Sequence, residues 1–167
     1  YLTGEAYFKV AKNTEHPFVV TAGELEVLVT GTTFGVRAYK DEKDIQTTLE
    51  SGQVTVRVEG KSVKLVPNKQ VLFNKLTMGV EVRDVDVDLY LAWADGRLVY
   101  DNCPLEKILT DLGRWYNIDV FYSRDELRSY QFSLNMKKHE EFIQVLELIG
   151  KTGEVQFEVK DNTVIVR

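Results

Sequence analysis

The sequence predicts a mainly β protein with an α/β tail: an N-terminal antiparallel β-sandwich, jelly-roll-like or solenoid-like in its connections, then a small two-layer α/β domain of tandem β-α-β units. Three observations carry this. Turn signals recur roughly every eight to twelve residues from Tyr1 to Val87, with no helical period between them. From Leu98 onward, apolar residues fall twice into helical spacing, each time flanked by alternating segments. The change of period lies at Trp93 to Gly96, which divides the chain into residues 1–92, all β, and residues 93–167, α/β.

Each N-terminal element follows from local pattern. Glu5–Val10 carries Tyr7, Phe8 and Val10, and His16-Pro17 breaks the chain before Phe18-Val19-Val20. Leu25, Val27 and Val29 alternate across the turn at Ala22-Gly23. Gly31-Thr32-Thr33 interrupts the pattern, as a bulge or corner does, and Phe34, Val36 and Ala38 resume it. Ile45–Glu50 and Gln53–Val58 flank Ser51-Gly52, Glu59-Gly60 turns into Ser62–Val66, and Pro67-Asn68 leads to Val71–Phe73 and Val80–Arg83.

In the second half, Leu98-Val99-Tyr100 reads as a strand and Asp101-Asn102 with Pro104 as a helix start. Leu105, Ile108, Leu109, Leu112, Trp115 and Tyr116 make one apolar helix face that ends at Asn117. Ile118, Val120 and Tyr122 alternate, as do Phe132, Leu134 and Met136. A second helix is expected after His139, with Phe142, Val145, Leu146 and Ile149 on one face and Gly150 and Gly153 at its end. Val155, Phe157 and Val159 pair with Val164 and Val166 across Asp161-Asn162 in a closing hairpin.

Composition narrows the function. Of 167 residues, 44% are hydrophobic and 28% charged, which is a globular balance. The net charge of −5 is spread evenly: 11 Lys+Arg and 13 Asp+Glu in residues 1–88, then 10 and 13. No cationic stripe exists to displace counterions from phosphates, so nucleic acid is excluded as a direct partner. The longest run free of charged residues, Val27 to Val36, is far short of the roughly 20 apolar residues of a membrane-spanning helix. No signal peptide is legible, and the chain begins in mid-pattern without Met, as a fragment of something longer would.

No reactive set emerges. His16 and His139 have no second His or Cys at ligand spacing, so no metal site is expected. Asp84-x-Asp86-x-Asp88 opens like a calcium loop but has Leu89 and Asp95 where Gly and Glu belong, and reads instead as a strand with a wet face. Cys103, the single cysteine, reads as a small buried hydrophobe at a helix start. Neither a nucleophile–base pair nor a Gly-rich phosphate loop is present. Trp93 reads as a hinge residue. The expectation is a binding or signalling module with no catalytic residue, cofactor or metal. A cell-envelope structural or glycan-binding β-module, with Tyr7, Tyr39 or Tyr90 as exposed aromatics, is the alternative. The closing strand, Thr163, Val164, Ile165, Val166 and Arg167, is the expected partner-binding edge.

The ordered segments GEAYFKV (Gly4 to Val10), FVV (Phe18 to Val20), VTGTTFGV (Val29 to Val36), LESGQVTV (Leu49 to Val56) and LVPNKQV (Leu65 to Val71) resemble the periplasmic domain of FecR-like proteins. WADGRLVYDNCPLEKILTDLGRWYNIDV (Trp93 to Val120) resembles the C-terminal domain that follows it, which is similar to the secretin/TonB short N-terminal fold. Asn68 stands where the family usually has Gly after Pro, and Asn also tolerates positive φ. The resemblance implies an anti-sigma regulator of cell-surface signalling. In that family a cytoplasmic N-terminal segment, absent here, holds an extracytoplasmic-function sigma factor. One helix, also absent here, crosses the inner membrane. The periplasmic part senses the signalling domain of a TonB-dependent outer-membrane transducer. This sequence would be that periplasmic portion, and the resemblance brings no catalytic residues.

Overall fold

Nine strands fill the first 84 residues: β1 (Gly4–Val10), β2 (Phe18–Ala22), β3 (Leu25–Val29), β4 (Thr32–Ala38), β5 (Asp44–Ser51), β6 (Val54–Val58), β7 (Lys61–Leu65), β8 (Lys69–Asn74) and β9 (Val80–Asp84). The structure is a computed structural model that describes residues 1–137 and 142–167, and these divide into two units, Tyr1–Ala94 and Asp95–Arg167. In the first unit all strand pairs are antiparallel, and they make a five-stranded sheet, β1-β4-β5-β8-β9, and a four-stranded sheet, β2-β3-β6-β7. The chain lays successive hairpins alternately into the two sheets, so each sheet keeps its strands in chain order.

Turn residues set this register. Gly23, Gly52, Gly60 and Asn68 take positive φ of 57°, 87°, 77° and 64°, at the turns their sequence marks. Glu59 and Gly60 both have positive φ (46° and 77°), the backbone a two-residue hairpin needs to follow strand twist. Gly31 sits at the corner between β3 and β4, where a Cβ would lie 2.7 Å from the Lys12 Cα. The ladder shifts between Thr33 and Phe34, the irregularity expected beside that glycine.

Period-2 alternation sends Val20, Leu25, Val27, Val29, Val54, Val56 and Leu65 from one sheet, and Phe34, Val36, Ile45, Leu49, Val71 and Phe73 from the other, into one core. Phe8 stacks on the fully buried Phe34, with ring centroids 5.0 Å apart. The expected strand over Asp84 to Asp88 is corrected. Pairing stops at Asp84, which meets Lys69 at 2.6 Å. The Asp86 carboxylate instead accepts the Asp88 N–H at 3.1 Å in an Asx turn that leads into a short helix α1 (Asp88–Leu91), which runs into a 3-10 turn, Ala92–Asp95.

The second unit contains β10 (Arg97–Pro104), α2 (Leu105–Tyr116), β11 (Asp119–Tyr122), a 3-10 turn (Asp125–Ser129), β12 (Gln131–Lys137), α3 (Phe142–Gly150), β13 (Phe157–Lys160) and β14 (Thr163–Val166). β10 pairs with β12 in a two-stranded antiparallel sheet, and a three-stranded sheet has the order β11-β14-β13. The two β-α-β units therefore interleave: β10 and β11, joined by α2, lie in different sheets, each beside a strand of the other unit. β10 runs further than Leu98–Tyr100, through a register break between Tyr100 and Cys103 where Asn102 takes φ 42°, so Pro104 caps α2 from just outside it.

Leu105, Ile108, Leu109 and Leu112 of α2 are fully buried against Val145, Leu146 and Ile149 of α3 and Val164 and Val166 of β14 in a second core. Trp115 and Tyr116 are half-buried at its rim. Asn117 closes α2 in the left-handed region (φ 53°), with its N–H and that of Ile118 both donated to the Gly113 carbonyl. The α3 start expected after His139 lies outside the described residues. No helix among the described residues is long and apolar enough to cross a membrane.

Candidate functional site

The three-stranded sheet of the second unit has one face in the core and one facing out. On the inner face lie Val120, Tyr122, Phe157, Val164 and Val166. The partner positions on the outer face run Phe121–Ile165–Glu158 and Asp119–Thr163–Lys160 across β11, β14 and β13. Phe121 is 63% exposed, an aromatic ring on a solvent-facing strand. Beside it, Glu158 pairs with Lys160 (2.7 Å) and with Arg167 (2.5 Å). The Lys160 hydrogen bond, reinforced by Arg167, holds the Glu158 carboxyl below its ordinary pKa.

This placement corrects the expected edge. Thr163–Val166 is the central strand: it pairs in parallel with β11, Asp119↔Thr163 to Tyr122↔Val166, and antiparallel with β13, Phe157↔Val166 to Lys160↔Thr163. Arg167 continues the ladder by exchanging two backbone bonds of 2.9 Å with Gln156. The hairpin partner was legible from sequence. The second neighbour comes from β11, some forty residues upstream, through a long-range parallel pairing that no local pattern announces. Among the described residues the open edges belong to β11 and β13.

The two edges differ. β13 carries Glu158 and Lys160, charges that discourage a further strand. β11 carries a single charge, Asp119, ahead of Val120, Phe121 and Tyr122. Its Asp119 and Ser123 N–H groups donate to β14 carbonyl neighbours Asn162 and Val166, both at 2.9 Å. By alternation, Val120 and Tyr122 turn their peptide groups to the outer edge. Tyr122 is braced by Arg128, whose guanidinium lies 4.1 Å from the ring centroid and is tied to Glu106 (2.9 Å) and Asp125 (3.1 Å). Burial pushes the Tyr122 hydroxyl up to about 12; Arg128 opposes the shift and Glu106 adds to it.

The other candidate groups are engaged in holding the fold. Cys103 is a half-buried free thiol; burial raises its pKa, Lys107 opposes that, and Asp111 adds to it. Asp111 is buried and accepts the Tyr100 hydroxyl (3.0 Å) and the Lys107 ammonium (2.5 Å), tying α2 to β10. Tyr7, Tyr39 and Tyr90, the aromatics of the glycan-binding alternative, are half-buried. Tyr7 donates to Glu50 (2.5 Å), Tyr39 stacks under Arg37 (4.9 Å), and Tyr90 meets Arg83 (3.2 Å). Trp93 donates its indole N–H to the Tyr90 carbonyl at 2.9 Å. Among the described residues no group of three or more His, Cys, Asp or Glu could hold a metal ion.

Comparison with known proteins gives a consistent picture. Residues 1–65 match the family model described as FecR protein, and residues 97–166 match the one described as FecR, C-terminal. No curated protein matches the chain. Two crystal structures of a provisionally assigned anti-sigma factor from Parabacteroides distasonis ATCC 8503 superpose with TM-scores of 0.84 and 0.83, each at 22% identity. The first covers 99% of this chain and 77% of that one; the second covers 98% and 76%. At that identity the likeness shows the fold. With both models matched in order over separate stretches that together span most of its length, the chain belongs to the FecR family.

Proposed function

We propose that this chain is the periplasmic sensor portion of a transmembrane anti-sigma factor. It relays a signal from a TonB-dependent outer-membrane transducer to an extracytoplasmic-function sigma factor by protein–protein binding. The sigma factor is held by an N-terminal region, and the inner membrane is crossed by a helix, both outside this sequence. Family membership supports a regulatory role, and the provisional assignment of the structural neighbour points the same way. The observation that carries the docking step is the position of β11 at the end of its sheet, beside the exposed Phe121. An extended strand of the transducer's signalling domain pairs there through backbone bonds, and Phe121 supplies side-chain contact.

Titration calorimetry with the signalling domain of the transducer encoded in the same gene neighbourhood tests this. Val120→Pro removes an outward N–H without touching the β14 ladder, and it is expected to weaken binding at least about tenfold. Phe121→Glu leaves the edge intact and weakens binding less if backbone pairing dominates. Wild-type binding that survives Val120→Pro unchanged, in a variant with native circular dichroism, refutes docking at this edge.

A further inference from the structure

Beyond β9 the chain turns back over the outer face of the five-stranded sheet. That face carries a row of partner positions through all five strands: Tyr7, Gly35, Thr48, Gln70 and Arg83. Several features fasten the crossing segment. The Val85 N–H donates to the Asn68 carbonyl at 3.0 Å. Tyr90 lies against Arg83, its hydroxyl 3.2 Å from Nη2 and its ring centroid 5.7 Å from the guanidinium. Leu91, 6% exposed, fills the space over Gly35 so closely that a Cβ added there would run into its Cδ2.

The surface beneath is polar and satisfied without the segment. Arg83 donates to the Gln70 side-chain oxygen from Nε (2.9 Å) and Nη2 (2.5 Å), and Gln70 donates its amide to the Thr48 hydroxyl (2.7 Å). Lifting the segment breaks none of these bonds, and the exposed row can be hydrated. The apolar core of the unit lies on the opposite face of the sheet and is untouched. A helix of four residues has no stability of its own, so α1 persists through what it packs on.

We propose that residues 85–94 form a releasable strap, with Leu91 as its latch and Gly35 as the keeper. Release uncovers the Tyr7-to-Arg83 row and frees a segment of up to about 35 Å contour. The device stands whether or not the docking proposed above holds, because it rests on contacts within the first unit alone.

Native-state hydrogen exchange of the full chain tests it, read at the amides of Leu89, Tyr90, Leu91 and Ala92, which bond to Asp86, Val87, Val87 and Asp88. In the wild-type chain these amides exchange by an opening insensitive to low denaturant, unlike those of β4 and β5. Gly35→Ala and Leu91→Ala each speed their exchange at least about tenfold and leave β4 and β5 amides unchanged. The double variant, in which the methyl added at position 35 takes up part of the volume Leu91 vacates, returns to within about threefold of wild type. Reporter amides that exchange only together with β4 and β5, with the same denaturant dependence, overturn the strap. So does a Leu91→Ala chain whose exchange at these amides is unchanged.

Discussion

Thr47 and Thr48 are neighbours on β5 that answer the same substitution in opposite ways. Thr47 faces the core between Val36 and Val71, is fully buried, and its hydroxyl has no hydrogen-bond partner among the described residues. Valine keeps its shape and removes an unpaired polar atom, so Thr47→Val stabilises the first unit by about 1–2 kcal/mol. Thr48 faces the other way, and its hydroxyl accepts the amide of Gln70, which is itself fully buried. Thr48→Val strands that donor and costs about 1–3 kcal/mol. The two variants therefore stand roughly 2–5 kcal/mol apart, although the residues are adjacent. For a unit of this size each kcal/mol moves the melting midpoint by about 4–8 °C. Thermal and urea unfolding of the full chain reads the difference, with amide exchange in β4 and β5 reporting on the first unit. A lowered midpoint for Thr47→Val refutes the assignment of an unpaired hydroxyl. Shifts of the same sign in both variants refute the assignment of the two side chains to opposite faces.

Two further outcomes follow from the second unit. Tyr122 binds its phenolic proton more tightly in the folded chain, with a pKa of about 12 against an ordinary 10. Its contribution is therefore fully present below pH 10 and is lost as pH rises from 10 towards 12. Urea midpoints of the second unit should fall over that window, and Tyr122→Phe should flatten the fall; an equal fall in the variant refutes the linkage. The Cys103 thiol, with its pKa raised mainly by burial, should react with iodoacetamide at pH 8 more slowly than a free cysteine. Modification at the rate of the free amino acid counts against the half-buried placement.

Most strands and their turns were open to reading because hairpins are local. Gly23, Gly52, Gly60 and Asn68 mark turns by chemistry, and Val27, Val54 and Val71 mark the core by alternation. The α2 face was legible for the same reason, from Leu105 to Leu112. What escaped depends on distant partners. The place of Thr163–Val166 in its sheet is decided by β11, and the fate of Asp84 to Asp88 by an aspartate that closes an Asx turn rather than extending a strand. Phe121 gave a signal that could have been used, an aromatic at an outward position of an alternating strand, but alternation alone did not say that its strand was an edge. The fit of Leu91 over Gly35 joins residues 56 positions apart, and neither looks unusual in its own surroundings.

The order of hairpins in the first unit has a consequence for biogenesis. As the chain is synthesised from its N-terminal side, each new hairpin finds its sheet neighbour already made: β4 and β5 join β1, β6 and β7 join β3, β8 and β9 join β5. Such a unit can grow step by step, and its intermediates expose one fresh rim at a time. The second unit cannot. β11 and β13 stay unpaired until residues 163–166 arrive to bridge them, so clipping those residues removes the keystone of the sheet and leaves two orphaned strands prone to association with other chains.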